Sequence, residues 1–365
     1  MKTSTSAILF LLAIMSFSQI RAQTKAQAPE DNLKLNQIQV IGSHNSYKQA
    51  IEPALFKLIQ SKDSTNRLGG LQYEHIPITD QLNMGLRNLE IDVYADSKGG
   101  KYAHPKGLEL VKPDQPYDTA GVMNQPGFKV LHVPDIDFRS SSLTFDDCLQ
   151  KLKNWSNSNP GHIPVFITLE PKDGETNRFG TTPEAFTSAL FDQLDAIIRK
   201  NLGMDKLITP DMVRGNCITL EEAVLKGNWP KLKQARGKFF FILDNKDKNR
   251  DLYLQGHPSL KGRLIFVNAE PGTPEAATLF RNNSEDPSIQ GLVKKGYIIR
   301  TRADSDTKEA RANDYTHFKQ AQDSGAQIIT TDYYKPSAFF NSPYHIVFED
   351  GTYVRKNPLN GKINK

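Results

Sequence analysis

The chain has 365 residues, 38% of them hydrophobic and 24% charged, with a formal net charge of +5. This composition excludes a disordered or collagen-like chain, and its length allows one large domain or two ordinary ones. The basic excess is far from the dense positive face of a nucleic-acid binder, so no nucleic-acid partner is expected.

Lys2, an apolar run over 7–15 and the small Ala22 before Gln23 form the three-part pattern of a secretory signal peptide over 1–22. That run is too short to span a bilayer, and no later stretch approaches the required length. A secreted or periplasmic mature protein is therefore expected, opening with a polar lead-in over 23–36. Short β-branched or aromatic runs then recur at 37–41, 86–94, 128–133, 165–170, 238–243, 263–268, 297–301 and 326–331. Their apolar residues are nearly continuous, as in parallel strands covered on both faces.

Between them lie amphipathic segments with start signals. Thr144 opens a helix carrying Cys148, Leu149, Leu152 and Trp155. Thr182-Pro183-Glu184 opens another through Phe186, Leu190, Leu194 and Ile197, with Gly203 as its stop. A third runs over 308–324 and ends at Gly325. Eight strands alternating with helices predict an α/β fold, a TIM-type (β/α)₈ barrel over 37–342. The tail over 343–365 can close a β-hairpin around Asp350-Gly351. Cys148 and Cys217 could pair or remain two thiols, and no cysteine pattern suggests zinc.

In such barrels the working residues sit at the C-terminal ends of strands. The first four candidate strands end in His44-Asn45, Glu90-x-Asp92, His132 and Glu170. Residues two apart on a strand share a face, so Glu90 and Asp92 project together. One Glu-x-Asp alone would readily form a buried salt bridge with Arg87 or Lys172. With Glu170 and the Asn45 amide oxygen at matching strand ends, the set becomes an oxygen-only site for Ca²⁺ or Mg²⁺. Two histidines at one mouth can divide acid–base work, one taking a proton from an attacking hydroxyl and the other protonating the leaving alkoxide. A divalent cation with two such histidines suits cleavage of a phosphodiester.

The series His44-Asn45, Glu90-x-Asp92, His132 and Glu170 resembles the catalytic domain of the calcium-dependent phosphoinositide phospholipases C. IGSHNSY, LEIDVYAD, GFKVLHVPDIDF and RTRADSDTKEARANDY resemble its secreted bacterial branch, within the phospholipase-C-like phosphodiesterase superfamily. The resemblance runs from about Gln37 to Tyr334. It implies that His44 and His132 are catalytic and that Asn45, Glu90, Asp92 and Glu170 hold Ca²⁺. In that family the inositol 2-hydroxyl attacks phosphorus, releasing diacylglycerol and forming a cyclic inositol phosphate that water can hydrolyse. The implied substrate is a phosphoinositide or other inositol phosphodiester, met by a monomer in transient contact with a membrane surface. The targeting modules and ring-phosphate pockets of eukaryotic members are not recognisable, which favours unphosphorylated phosphatidylinositol.

Three further residues have substrate-binding readings. Lys172 could add positive charge beside the phosphate, Arg302 could contact inositol hydroxyls or phosphate, and Tyr333 could stack on the sugar ring. Each is equally readable as a solvated cation or a packing aromatic. The nearest alternative is a glycerophosphodiester phosphodiesterase, in which His104 would replace His132 as the second histidine. A secreted protein holding calcium purely for structure is the non-enzymatic alternative.

Overall fold

The computed structural model describes residues 30–65, 67–174 and 180–361, so the leader expected over 1–22 lies outside the described residues. By Leu33 and Leu35, both fully buried, the chain has already entered the core. The strands in chain order are β1 (Ile38–Ser43), β2 (Asn88–Asp96), β3 (Gly127–Lys129), β4 (Val165–Pro171) and β5 (Phe239–Leu243). They continue as β6 (Phe266–Val267), β7 (Thr278–Phe280), β8 (Ile298–Arg302), β9 (Ile328–Thr331) and β10 (Val354–Lys356). The main path is β6-β5-β4-β2-β1-β9-β8-β7, with all its pairings parallel. A bridge from Asn268 to Thr278 brings β7 back to β6, so eight parallel strands form a nearly closed barrel.

The membership of that barrel differs from expectation at one strand. The run 128–133 shrinks to β3, which pairs antiparallel with the far end of β2 and stands off the barrel path. The eighth place is taken by β7, a three-residue strand too short to register as a periodic run. His132 therefore lies beyond a strand, in a turn where Val133 and Asp137 exchange backbone hydrogen bonds of 3.0 and 2.9 Å.

Helices cover the outside. Phe145–Ser158 starts where Thr144 accepts a hydrogen bond from the Asp147 amide at 3.2 Å, and it buries Cys148, Leu149, Leu152 and Trp155. The helix expected from Thr182 begins later, as Ser188–Leu202, because Thr187 supplies the cap to the Leu190 amide at 3.2 Å. It stops at Gly203 as expected. The expected third helix is two, Lys308–Ala312 and Thr316–Ser324, broken where Asn313 turns left-handed at φ 52°. Cys148 and Cys217 are unpaired. Among the described residues no helix is long and apolar enough to cross a membrane.

The β1–β2 seam is narrow, since the two strands pair only at Gly42 and Asn88. Below that point β10 pairs antiparallel with β1, matching Ile38 with Lys356 and Val40 with Val354. A turn does form at Asp350-Gly351, where the Gly351 amide donates to the Phe348 carbonyl at 2.8 Å. The strand leaving that turn pairs with β1. At the seam a Cβ on Gly42 would lie 2.3 Å from the Asn88 carbonyl oxygen and 2.4 Å from its Cβ. Gly42→Ala should therefore cost about 1–3 kcal/mol through overpacking, read as a lower midpoint in urea denaturation. An unchanged midpoint would show that the seam can widen freely.

Candidate active site

The site lies at the C-terminal ends of the barrel strands. After β1 the chain turns sharply, with Asn45 in the left-handed region at φ 47°, which asparagine tolerates better than most residues. The turn is held by the Lys48 amide, which donates to the Asn45 carbonyl at 2.8 Å. The Asn45 side-chain amide donates to the Tyr73 hydroxyl at 2.7 Å. Its Oδ1 is buried and has no hydrogen-bond partner among the described residues.

His44 stands beside it. Its Nδ1 is 2.8 Å from Asp332 Oδ1, and its Nε2 is 3.5 Å from Glu90 Oε1. Arg302 approaches the same pair, 3.1 Å from Nδ1 and 3.8 Å from the other Asp332 oxygen. With Nδ1–H donated to Asp332, Arg302 serves the second carboxylate oxygen, and Nε2 is left as an acceptor. Burial, then the Arg302 cation, hold the His44 imidazole well below its usual 6.5, so it is neutral at pH 7. The His44 carbonyl accepts from His75 Nε2 at 2.7 Å, which fixes the backbone carrying both His44 and Asn45.

The carboxylates form the other half. Asp92 on β2 lies directly across from Glu170 on β4, so the two project from neighbouring strands on one face. The Lys172 ammonium bridges them, 2.7 Å from Glu170 and 3.3 Å from Asp92. Glu90 is buried and pairs with Arg300 at 2.5 Å. Asp244, immediately after β5, joins Glu90 and Glu170, with one oxygen of each lying within 4.8 Å of the others. Desolvation pushes Asp244 up to about 7 against the pull of Arg300, with Glu90 and Glu170 adding repulsion. Burial likewise raises Asp92 well above its usual value, although Lys172 pulls the other way.

Arg87, one of the alternative partners for the acid pair, instead donates to the Leu82 and Leu86 carbonyls. The lysine salt bridge and the oxygen cluster thus coexist. Glu90, Asp92, Glu170 and Asp244 outnumber the two cations Arg300 and Lys172 beside them. Asn45 Oδ1 is buried without a hydrogen-bond partner among the described residues, and Asp92 is buried with the Lys172 ammonium 3.3 Å from one of its oxygens. Oxygen-only, with more carboxyls than cations and a buried amide oxygen left unpartnered, this set fits a hard divalent cation.

His132 approaches from the turn after β3. Its Nδ1 is 2.7 Å from Asp137 Oδ2, and its carbonyl accepts from the Tyr94 hydroxyl at 2.8 Å. Burial would raise Asp137, but the Lys48 ammonium 3.2 Å away and the His132 hydrogen bond outweigh it and hold the carboxyl low. Lys48 also lies 4.6 Å over the Tyr73 ring, which stacks on His44, so with Arg302 beside His44 the two histidines and the arginine share one mouth. His104, by contrast, is exposed. Tyr333 is buried, with its ring edge-on to Phe340 and Tyr344.

Four functional groups escaped the reading of the sequence. Asp244 and Asp332 directly follow apolar strands, the signal that identified Glu170, and could have been found by it. Arg300 lies two residues before Arg302 on β8. Asp137 sits within a motif already singled out, but only the turn at 133–137 brings it to His132.

The family model described as phosphoinositide phospholipase C, Ca²⁺-dependent, matches residues 33–358. No match was found among curated protein sequences. Among solved structures, the chain is similar to a calcium-dependent phosphoinositol-specific phospholipase C from Pseudomonas sp., in its myoinositol complex. That likeness has a TM-score of 0.51 and 16% identity over 89% of this chain and 96% of that one. It is also similar to a Ca²⁺-dependent phosphatidylinositol-specific phospholipase C from Streptomyces antibioticus, with a TM-score of 0.53 and 20% identity over 83% and 95% of the two chains. At these identities the structural likenesses establish the shared barrel fold.

The crowded carboxylates give a testable outcome. Free Ca²⁺ at about 100 times its Kd should stabilise the protein by about 2.7 kcal/mol. Asp244→Asn should shrink that response while raising the melting temperature in EGTA. Asp244 keeps its proton in the folded protein far above its usual 3.8, so its contribution to metal-free stability is greatest below that pH and is lost as pH rises toward about 7. The advantage of the variant in EGTA should therefore widen across that window. A Ca²⁺ response equal to wild type in Asp244→Asn would remove Asp244 from the site.

Proposed function

The chain belongs to the Ca²⁺-dependent phosphoinositide phospholipase C family, and from that premise we propose that it cleaves phosphatidylinositol-type lipids to diacylglycerol and a cyclic inositol phosphate. The observation that carries this reading is the pair of carboxylate-backed histidines beside one oxygen-only cluster. Asn45, Glu90, Asp92 and Glu170, with Asp244, would hold Ca²⁺. When bound, the ion lowers the pKa of the attacking hydroxyl and offsets charge on the phosphate.

The remaining work belongs to the protein. His44, neutral and with Nδ1–H held by Asp332, takes the proton of the inositol 2-hydroxyl at Nε2 as that oxygen bonds to phosphorus. His132, held at Nδ1 by Asp137, gives a proton from Nε2 to the departing diacylglycerol oxygen. Arg302, beside His44, places a planar cation where phosphate charge develops. Water can later open the cyclic ester through the same two histidines with their roles exchanged.

We extend the reading to setting. The signal over 1–22 supports a secreted or periplasmic protein. Leu110 at 52% exposure, ending the short helix Gly107–Leu110 after β2, and Phe339 at 36%, after β9, support transient contact with a membrane surface at the mouth. The protein would work as a monomer. An inositol phosphodiester in a glycosyl-inositol anchor remains within the same chemistry.

Phosphorus NMR of the mature protein with phosphatidylinositol should show cyclic inositol phosphate in Ca²⁺ and none in EGTA. Release of glycerol phosphate from glycerophosphodiesters alone would favour the glycerophosphodiester alternative. Tight lipid binding without turnover in excess Ca²⁺ would favour a purely structural calcium protein. His132→Ala should lower kcat by about 100- to 10,000-fold, the usual worth of an acid–base group, while His104→Ala leaves it unchanged.

A further inference from the structure

We propose that Lys48 is a positioning residue for His132, acting through Asp137, and that the same ammonium braces the segment that orients Asn45. The inference rests on the reading of His132 as an acid–base group.

Lys48 is fully buried, an unusual place for a lysine. Its Nζ donates to the carbonyls of Leu71 at 3.0 Å and Tyr73 at 2.8 Å. It also lies 3.2 Å from Asp137 Oδ1 and 4.6 Å above the centre of the Tyr73 ring. A desolvated ammonium is costly to keep and adds little to stability that a well-packed apolar side chain would not. What it does here is electrostatic. Asp137 is itself fully enclosed, and without a neighbouring cation such a carboxyl would take up a proton. A neutral Asp137 could donate its proton to His132 Nδ1 and reverse the tautomer. Beside Lys48 it stays anionic, accepts Nδ1–H at 2.7 Å and directs Nε2 away from itself.

The second arm of Lys48 reaches the metal side. Tyr73, whose carbonyl the ammonium binds, receives the Asn45 amide on its hydroxyl at 2.7 Å. That bond fixes which end of the Asn45 side chain is left unpartnered: the oxygen. The backbone repeats the connection. The Lys48 amide closes the Asn45 turn at 2.8 Å, and the Lys48 carbonyl accepts from the His75 amide at 2.9 Å. An antiparallel bridge from Lys48 to Ser140 ties this segment to the loop that carries Asp137. One buried cation therefore sets the orientation of groups on both sides of the mouth.

The test uses the full mature protein with ¹⁵N-labelled histidine, and phosphatidylinositol in detergent micelles as substrate. Wild-type His132, assigned by its loss in His132→Gln and read at a pH high enough for the ring to be neutral, should be the Nδ1–H tautomer. Lys48→Met, Asp137→Asn and the double variant should each lose that signature and lower kcat by about 100-fold, with KM changed less than about twofold. The double variant removes both buried charges and so folds even if Lys48→Met does not. Its kcat should match that of Asp137→Asn alone. Wild-type His132 in the Nε2–H form, a further drop in the double variant, or a folded Lys48→Met with wild-type kcat and tautomer would each overturn the proposal. Full activity in His132→Gln would instead sink the reading of His132 as a catalytic group, a result distinguishable from all of these.

Discussion

Four carboxylates crowd the mouth of this barrel, and much of the local structure answers their repulsion. Parallel pairing places Asp92 directly beside Glu170, strand alternation adds Glu90 two residues earlier on β2, and the end of β5 adds Asp244. Each protein cation is assigned to part of this charge, Arg300 to Glu90 and Lys172 to the Asp92–Glu170 pair. The carboxyls still outnumber the cations, burial holds protons on Asp92 and Asp244, and the Asn45 oxygen is left without a donor. A site so arranged is incomplete as a protein structure and complete only with a bound cation, the opposite of a salt-bridge network evolved for stability. The ion preference of the family thus has a direct physical expression in the chain.

The histidines obey a different logic. Both are partly exposed at the ring and anchored beneath by a buried acid, His44 by Asp332 and His132 by Asp137. Each acid has its own cation, Arg302 in one case and Lys48 in the other. The two halves thus share an order of imidazole, carboxylate and cation, but are built from unrelated elements. One comes from strand ends of the barrel. The other comes from two loops laid over it, stitched together by backbone bonds such as Ser141 to Tyr47 at 2.8 Å.

That difference explains what could be read in advance. Glu90, Asp92 and Glu170 were legible because a strand's alternation and its polar end are written locally. His44 and Asn45 were legible for the same reason. Asp137 was not, because its role depends on a turn at 133–137 and on Lys48, 89 positions earlier in the chain. The strand assignment failed at 128–133 because an apolar, β-branched run also suits a short antiparallel edge lying over the barrel. It missed β7 because three residues carry no measurable period. The interrupted helix over 308–324 shows a local choice, the left-handed turn at Asn313, overriding a continuous helical pattern.

The narrow seam beside β1 bears on how the chain is made. β1 is the first described strand to be synthesised, yet its extended partners, β9 and β10, come about 290 and 315 residues later. Toward β2, its neighbour in sequence, it offers a single pairing at Gly42. The first strand must therefore wait, unpaired along most of its length, until β9 and β10 have been made. Contacts this distant are slow to form and leave a nascent chain pliable for most of its synthesis. The barrel is thus locked from its two ends at once, and the histidine and asparagine carried at the tip of β1 come into position among the last parts of the molecule.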